Sequence, residues 1–155
     1  MIDRNAVSKF VEESNMIEGI FRHPHANEVD AHLRFLALDQ IEVEDVEALV
    51  SMLQFGAVLR AGPGMNVCVG NHIPPAGGMG VVYALTDLLA NSQVCDDPFL
   101  IHAQYETLHP FTDGNGRSGR ALWLRMMQRL HGPRGGLKRN FLHEWYYQSL
   151  SHYSR

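Results

Sequence analysis

The sequence predicts an all-α domain that carries one short β-hairpin. Apolar residues recur at three- and four-residue steps along most of the chain, which is typical of helices packed on a core. The one long interruption is the Gly- and Pro-rich stretch 61–80. With 155 residues, 45% of them hydrophobic and 19% charged, the chain matches a globular protein with its own core. We therefore expect a single domain over residues 1–155.

The first half of the chain contains three predicted helices. They cover residues 5–19, 28–38 and 41–60. Asn27 is the expected N-cap of the second helix, because its side chain can accept a hydrogen bond from the first turn. Asp39 and Glu42 make a start for the third helix that is similar to a capping box.

The segment 61–80 predicts an exposed β-hairpin. Gly70 and Asn71 are typical of a two-residue hairpin turn, and apolar residues lie on both sides of them. Two consecutive prolines then end the second strand, because proline cannot donate to the ladder. The residues that form the first strand and the turn are Val67, Cys68, Val69, Gly70 and Asn71.

Helical periodicity returns in the second half of the chain. The predicted helices cover 81–91, 98–109, 117–130 and 140–150. Gly132 stops the third of these, and Asn140 caps the last. Aromatic residues at 145–147 either pack this last helix or form a contact in a homo-oligomer.

Composition excludes several classes of function. The net charge of −4 argues against a broad nucleic-acid surface, which requires a basic face. The N-terminus is charged and no stretch approaches the roughly 20 apolar residues that cross a bilayer, so we expect neither a signal peptide nor a membrane partner. Cys68 and Cys95 predict free thiols in a reducing compartment. We therefore expect a cytoplasmic protein.

The loop HPFTDGNGRSGR has the features of a phosphate-binding site. The glycine-rich turn 114–116 lets backbone N–H groups approach a ligand closely. A helix that starts behind this turn adds positive potential. Arg117 and Arg120 lie three residues apart, hence on one side of the first turn, where both can reach phosphate oxygens. The pattern predicts that the loop binds a polyphosphate.

Two further residues of this loop supply the chemistry. Asp113 offers one carboxylate, which suits Mg²⁺, since this ion usually takes one or two protein carboxylates and completes its shell with water and substrate. His109 is the base of the loop at neutral pH and can accept a proton from an attacking hydroxyl. The implied reaction is an in-line displacement at phosphorus.

The segment 109–120 reads His-Pro-Phe-x-Asp-Gly-Asn-Gly-Arg-x-x-Arg and resembles the Fic-family active-site motif at all nine fixed positions. The approach helix and the hairpin with its Ile-Pro-Pro are also similar to that family, so the likeness runs from about Ser14 to Leu130. The resemblance implies a Fic-fold helical bundle whose hairpin is a flap near the active site. It implies a protein adenylyltransferase that moves AMP from ATP to a Tyr, Thr or Ser hydroxyl of a target protein or of itself.

The resemblance also assigns roles to individual residues. His109 would be the general base and Asp113 would hold Mg²⁺. Residues 114–116, with Arg117 beside them, would bind the α- and β-phosphates, and Arg120 would pair with the γ-phosphate. Relatives that act as kinases carry Lys at the position of the glycine at 116, so this glycine favours AMP transfer. In the family the flap aligns the target segment by strand addition.

Residues 14–19, Ser-Asn-Met-Ile-Glu-Gly, resemble the autoinhibitory motif of the same family. Ser14 and Glu18 lie four residues apart on one helical face. The resemblance implies that Glu18 occupies the guanidinium of Arg120 and so restrains the enzyme in cis. The motif is usually followed by Asn, whereas Ile20 stands here.

Several alternatives stay open at this stage. The pair Ser14 and Glu18 could be exposed helix residues without a role. In some relatives the same Glu positions water to remove AMP, so a de-AMPylating hydrolase is one alternative function. A nucleotide-binding regulator without turnover is another. Arg60 could contact the site from the helix before the flap, but a surface position is expected, and His102 is expected in the core.

Overall fold

The computed structural model describes residues 1–137, and this part of the chain contains six α-helices and no regular β-strand. They are α1 (Arg4–Ile17), α2 (Ala26–Leu36), α3 (Val43–Leu53), α4 (Met79–Ser92), α5 (Pro98–Leu108) and α6 (Asn115–His131). The predicted all-α class is confirmed. The predicted helix 140–150, with its aromatic residues, lies outside the described residues.

The starts of α1 and α5 follow from local sequence. Asp3 precedes α1 and accepts hydrogen bonds from the N–H groups of Asn5 and Ala6. Asp97 precedes α5 and accepts from the N–H of Leu100 at 3.1 Å, while Pro98 occupies the first helical position, where no N–H is needed. Both caps satisfy donors that would otherwise have no partner within the helix.

The starts of α2 and α3 differ from the prediction, because acidic residues inside each helix reach back to the residue before it. Glu28 accepts from the N–H of His25 at 2.7 Å, so α2 begins two residues before the predicted start. In α3 the reciprocal pair is Glu42 and Asp45, joined at 2.8 Å, rather than Asp39 and Glu42. In both helices, the carboxylate that reaches back belongs to the third helical residue, Glu28 in α2 and Asp45 in α3.

The helix predicted over 41–60 is too long, because α3 ends at Leu53. Gly56 has φ +79°, a left-handed conformation that interrupts a right-handed helix. The chain then runs extended, and Leu59 forms an antiparallel bridge with Phe111. Residues 54–60 thus lie beside the loop that carries the motif.

Helix α6 is the central element, and it packs against α1, α2, α3 and α5. One core lies between α6 and the helices α2 to α5 and includes the fully buried Leu85, Tyr105 and Leu122. A second core joins α1 and α2 to α6, with the rings of Phe10 and Trp123 stacked at 6.3 Å. No helix within residues 1–137 has the length and apolar character needed to cross a membrane.

The predicted hairpin is reduced to a tight turn. Val69 and His72 form a single antiparallel bridge, with N···O distances of 3.0 and 2.9 Å. Gly70 has φ +57° and stands at the first central position, as in type II′ turns. Within the described chain, the backbone groups beyond this bridge do not pair with one another. The turn is therefore not flanked by regular strands. We keep the name flap for residues 67–73.

Candidate active site

The start of α6 forms the floor of the site. Gly114 precedes the helix with φ +76° and provides no side-chain cap, so the helix start is open. The first hydrogen bond of the helix runs from the Ser118 N–H to the Gly114 carbonyl, which leaves the N–H groups of residues 115–117 outside the helical pattern. An open helix start of this kind favours a bound anion.

The side chain of Asn115 holds the loop closed. Its Oδ1 accepts from the N–H of Phe111, and its Nδ2 donates to the carbonyl of Phe111, both at 2.8 Å. Both side chains are buried, with Phe111 1% exposed and Asn115 2%. The amide of Asn115 therefore fixes the loop in front of α6, and what this residue presents at the helix start is its backbone N–H.

The guanidinium of Arg117 lies against the end of α3. Its Nη1 donates to the carbonyl of Leu53 at 2.7 Å, and its Nη2 donates to Oε1 of Gln54 at 2.6 Å. Burial lowers the pKa of Arg117 from its ordinary value. The structure thus places the side chain of Arg117 between α6 and α3, while the backbone N–H of Arg117 belongs to the first turn of α6.

The guanidinium of Arg120 brings Ser14 and Glu18 together. Its Nε donates to Oγ of Ser14 at 2.8 Å, and its Nη2 donates to the Ser14 carbonyl at 3.0 Å and to Oε1 of Glu18 at 2.6 Å. The Arg120 side chain is 1% exposed, whereas that of Glu18 is 39% exposed. The end of α1 therefore docks on the side chain that is predicted to pair with the γ-phosphate.

Gly19 explains how α1 delivers Glu18 to this position. The N–H of Gly19 donates to the carbonyl of Met16 at 3.0 Å, and the N–H of Ile20 donates to that of Asn15 at 3.0 Å. This pair of bonds, with Gly19 at φ +77°, is a Schellman motif. The helix thus ends at Ile17 with Glu18 as its C-cap beside Arg120, because the residue after Glu18 is a glycine in the left-handed conformation.

Gly116 leaves the room that the Glu18 carboxylate occupies. A Cβ at position 116 would collide with Oε1 of Glu18 and would stand 3.1 Å from Nη1 of Arg120. The docked carboxylate therefore lies directly against the first turn of α6. A bound anion and the carboxylate of Glu18 would compete for the same place.

His109 ends α5 in an unusual backbone conformation. Its φ and ψ are +50° and +63°, and it is the only non-glycine residue with positive φ within residues 1–137. Its N–H donates to the carbonyl of Tyr105 at 2.9 Å, which caps the helix. Such a conformation costs about 1–3 kcal/mol and persists where neighbouring contacts enforce it. The turn directs the chain from α5 into the loop at Pro110.

The electrostatic surroundings of His109 favour its neutral form. Burial lowers the pKa of the half-buried imidazole below its ordinary value, and the charges of Arg60 and His72 lower that pKa further. The carboxylate of Glu106 and a hydrogen bond to the Glu106 carbonyl act in the opposite direction. Since the net shift is downward, the imidazole is deprotonated at neutral pH and can accept a proton.

Asp113 is exposed and can serve as a single metal ligand. Its Oδ1 accepts from the N–H of Gly114 at 2.8 Å, so that contact orients the carboxylate at the mouth of the loop. No group of three or more acidic, His or Cys side chains able to hold a metal is found among the described residues. A lone carboxylate beside a phosphate site fits Mg²⁺, which draws most of its ligands from substrate and water.

The prediction that Arg60 lies on the surface is wrong. The side chain is 0% exposed and donates to four backbone carbonyls, including that of His109 at 2.7 Å. The sequence left a contact between Arg60 and the site open but favoured the surface, because the helix predicted over 41–60 placed this residue on a solvated helix end. The early end of α3 instead turns the side chain inward, between the flap and the end of α5.

Residues behind the loop pack α5 onto α6. The hydroxyl of Tyr105 and Oγ of Ser118 lie 2.7 Å apart, and Tyr105 is fully buried. His102 is buried as expected, with Nε2 at 3.4 Å from Oε1 of Glu106. The contact between Tyr105 and Ser118 joins α5 to α6, whereas His102 and Glu106 interact within α5.

The flap lies close to His109 through one side chain. Nε2 of His72 is 2.8 Å from the carbonyl of Thr107, near the end of α5. The flap residues predicted to dock a target are Val67, Cys68, Val69, Gly70 and Asn71. Of these, Val67 is partly exposed and the other four are exposed to solvent.

Fold and site together define a helical domain with an open helix start, a histidine before it and a second helix whose end is docked on Arg120. A family model described as the Fic/DOC family matches residues 35–127, more than half of the chain. The chain therefore belongs to the Fic/DOC family, in which AMPylation or related transferase activity is common. The matched range begins after α1, so it does not include residues 14–19.

A solved structure is similar in fold. A Fic family protein from Desulfovibrio desulfuricans G20 aligns with a TM-score of 0.59 and 21% sequence identity. The alignment covers 97% of this chain and 57% of that chain, so this chain spans little more than half the length of the other. At this identity the likeness concerns the fold. A comparison with curated proteins gave no match.

Proposed function

We propose that this protein transfers AMP from ATP to a hydroxyl of a protein substrate, with His109 as the general base. The observation that carries the proposal is the loop 109–120, which joins a deprotonated, half-buried imidazole to an open helix start through five residues. A purely structural loop needs neither an open helix start nor a base beside it. Gly116 agrees with AMP transfer, since Fic-type kinases carry Lys there.

The reaction we infer is an in-line displacement at the α-phosphorus of ATP. The substrate hydroxyl oxygen forms a bond to phosphorus, the bond from phosphorus to the bridging oxygen breaks, and pyrophosphate leaves with that electron pair. His109 accepts the hydroxyl proton. The backbone N–H groups of residues 115–117 hold the phosphate oxygens, so that the negative charge of the leaving group meets fixed dipoles. Mg²⁺, held by Asp113, would neutralise charge on the phosphates.

The docked end of α1 makes the proposed enzyme autoinhibited. Arg120 is almost fully buried and already engaged by Oγ and the carbonyl of Ser14 and by the carboxylate of Glu18. A γ-phosphate that seeks the same guanidinium has to displace Glu18. Charge-assisted bonds of this kind are roughly twice as strong as neutral ones, so the competition lowers basal activity.

The experiment uses α-labelled ATP, Mg²⁺ and a cell lysate. Wild type, Glu18→Gly and His109→Ala are incubated in parallel, and labelled protein bands are counted. We expect stronger bands with Glu18→Gly than with wild type, and none with His109→Ala. A Glu18→Gly, His109→Ala double variant is the control for labelling by other enzymes of the lysate.

Each outcome of this experiment decides one part of the proposal. Labelling in the double variant that exceeds the labelling of lysate without added protein rules out His109 as the base. Equal labelling by wild type and Glu18→Gly rules out inhibition by Glu18 but leaves the transfer reaction. ATP binding without any labelling, including with Glu18→Gly, identifies a nucleotide-binding regulator instead.

A hydrolase that removes AMP is a second candidate function, and one observation favours it. Glu18 uses Oε1 to bind Arg120, yet its side chain is 39% exposed, so solvent reaches the carboxylate beside the helix start. A carboxylate so placed could orient a water toward a bound AMP group. Incubation of an AMP-modified protein with wild type and with Glu18→Gln tests this: release of AMP by wild type alone supports hydrolysis.

A further inference from the structure

The side chain of Arg60 occupies a position that its sequence neighbours do not explain. It is 0% exposed, and within residues 1–137 it forms no ion pair with a carboxylate. Arginine remains protonated in such surroundings, so its charge must be balanced by oriented dipoles. Four backbone carbonyls perform this task, and they come from three separate segments of the chain.

Two of these carbonyls belong to the end of α5. Nη2 of Arg60 donates to the carbonyl of Leu108 at 2.9 Å, and Nε donates to that of His109 at 2.7 Å. Carbonyls at the last turn of a helix have no partner within the helix, and a cation there is favourable. The second bond also holds the one peptide group that follows the left-handed turn of His109.

The other two carbonyls lie at the two ends of the flap. Nη1 of Arg60 donates to the carbonyl of Met65 at 3.1 Å and to that of Pro75 at 2.8 Å. These residues stand just before and just after the flap, residues 67–73. One nitrogen of the guanidinium therefore closes the base of the flap.

The backbone of Arg60 continues the same network. Its N–H donates to the carbonyl of Pro110, and its carbonyl accepts from the N–H of Gly78, both at 2.9 Å. The planar guanidinium has a fixed geometry, so its donors cannot move independently of one another. A displacement of the flap base is thereby transmitted to the end of α5, and the reverse also holds.

We propose that Arg60 is a positioning residue that fixes the backbone of His109 and the base of the flap in one rigid arrangement. The inference rests on the proposed function, in which His109 is the base, and on the expectation from the family resemblance that the flap aligns the target segment. The hydrogen bonds that Arg60 forms within residues 1–137 go to the end of α5, to Pro110 and to the flap base rather than to residues 114–120, so we expect its loss to affect the alignment of base and hydroxyl rather than the binding of ATP.

The test compares two buried arginines in the Glu18→Gly background. Arg60→Met is paired with the control Arg125→Met. Arg125 lies on α6 away from the loop, is also buried (7% exposed), and also donates to backbone carbonyls, in its case those of Leu38 and Asp39. Steady-state transfer is measured at a temperature where circular dichroism shows both variants to be folded.

We expect Arg60→Met to lower kcat about 100-fold, as a misplacement of about 1 Å does, with the KM for ATP changed by less than about threefold. Arg125→Met keeps kcat within about twofold of the parent. Arg60→Lys retains the charge but not the planar fork, and it lowers kcat about tenfold. Equal losses of kcat in the two Met variants, or a rise in KM for ATP alone, overturn the proposal.

A spectroscopic measurement covers the case in which Arg60→Met does not fold. The ¹³Cα resonance of His109, assigned in protein with labelled histidine, reports its left-handed φ. We expect this resonance to move in Arg60→Lys and to stay in place in Arg125→Met; an unmoved resonance in Arg60→Lys overturns the positioning role. If Glu18→Gly transfers no AMP at all, the proposed function fails, and the resonance still decides the role of Arg60.

Discussion

Gly19→Ala separates the docking of Glu18 from the chemistry of its carboxylate. Gly19 has φ +77°, and a Cβ at this position would meet no atom within 4 Å. The substitution therefore introduces backbone strain without a steric clash. An alanine in the left-handed conformation costs the folded state about 1–2 kcal/mol. Because alanine also lowers the conformational entropy of the unfolded chain, part of this cost is offset, and the net destabilisation is about 1 kcal/mol.

This strain acts on the end of α1, because the Schellman motif depends on Gly19. If the proposed inhibition holds, about 1 kcal/mol shifts the ratio of docked to undocked Glu18 about fivefold. Self-labelling or target labelling with α-labelled ATP should then rise up to about fivefold. In a protein of this size the thermal midpoint should fall by about 2–4 °C.

Gly132→Ala is the matched control for this prediction. Gly132 caps the end of α6 with φ +85° and ψ −178°, a region open almost only to glycine, and its Cβ would also meet nothing. Gly132→Ala therefore strains the protein at least as much as Gly19→Ala does, but position 132 lies far along α6 from Arg120. If Gly19→Ala lowers the thermal midpoint without raising the labelling, or if Gly132→Ala raises the labelling equally, the helix end does not restrain the site.

Three further predictions concern the surroundings of the loop. Glu106→Gln removes the carboxylate that raises the pKa of His109, and the pKa of His109 therefore falls further. The acid limb of the pH–rate profile, which lies below about pH 6.5, should then move to lower pH. A limb that moves to higher pH contradicts this prediction. Asp113→Asn should raise the Mg²⁺ concentration needed for half-maximal rate while the thermal midpoint stays unchanged, since the side chain is exposed. Tyr105→Phe removes the buried 2.7 Å hydrogen bond to Ser118, whose hydroxyl keeps its bond to the Gly114 carbonyl, and should lower the free energy of unfolding by about 1 kcal/mol, as measured by urea denaturation. An unchanged free energy of unfolding contradicts this prediction.

Sequence patterns predicted the helical fold and the location of the loop, because both depend on local signals. The apolar periodicity of α6 and the glycine-rich turn before it appear directly in the sequence, and residues 14 and 18 share a face through spacing alone. That both of them meet Arg120 is a tertiary contact. It followed only from the resemblance of the two motifs to a known family.

The contacts that were not foreseen are long-range. Arg60 meets the end of α5 because α3 ends at Leu53, seven residues earlier than predicted, and Gly56 gave too weak a signal against the apolar residues on either side of it. The side chain of Arg117 turns to α3 for a similar reason, since the carbonyl of Leu53 at the helix end needs a donor. Neither need is visible until the helix boundaries are known.

The space at position 116 links regulation to the choice of chemistry. Any side chain there would enter the volume that the Glu18 carboxylate fills, so a substitution made to change how the nucleotide lies would also displace the carboxylate that we propose to be inhibitory. A chain with this architecture could not become a phosphate-transferring variant through a lysine at 116 and keep the restraint by Glu18 that we propose. Acquiring the new activity and losing restraint would be a single evolutionary event.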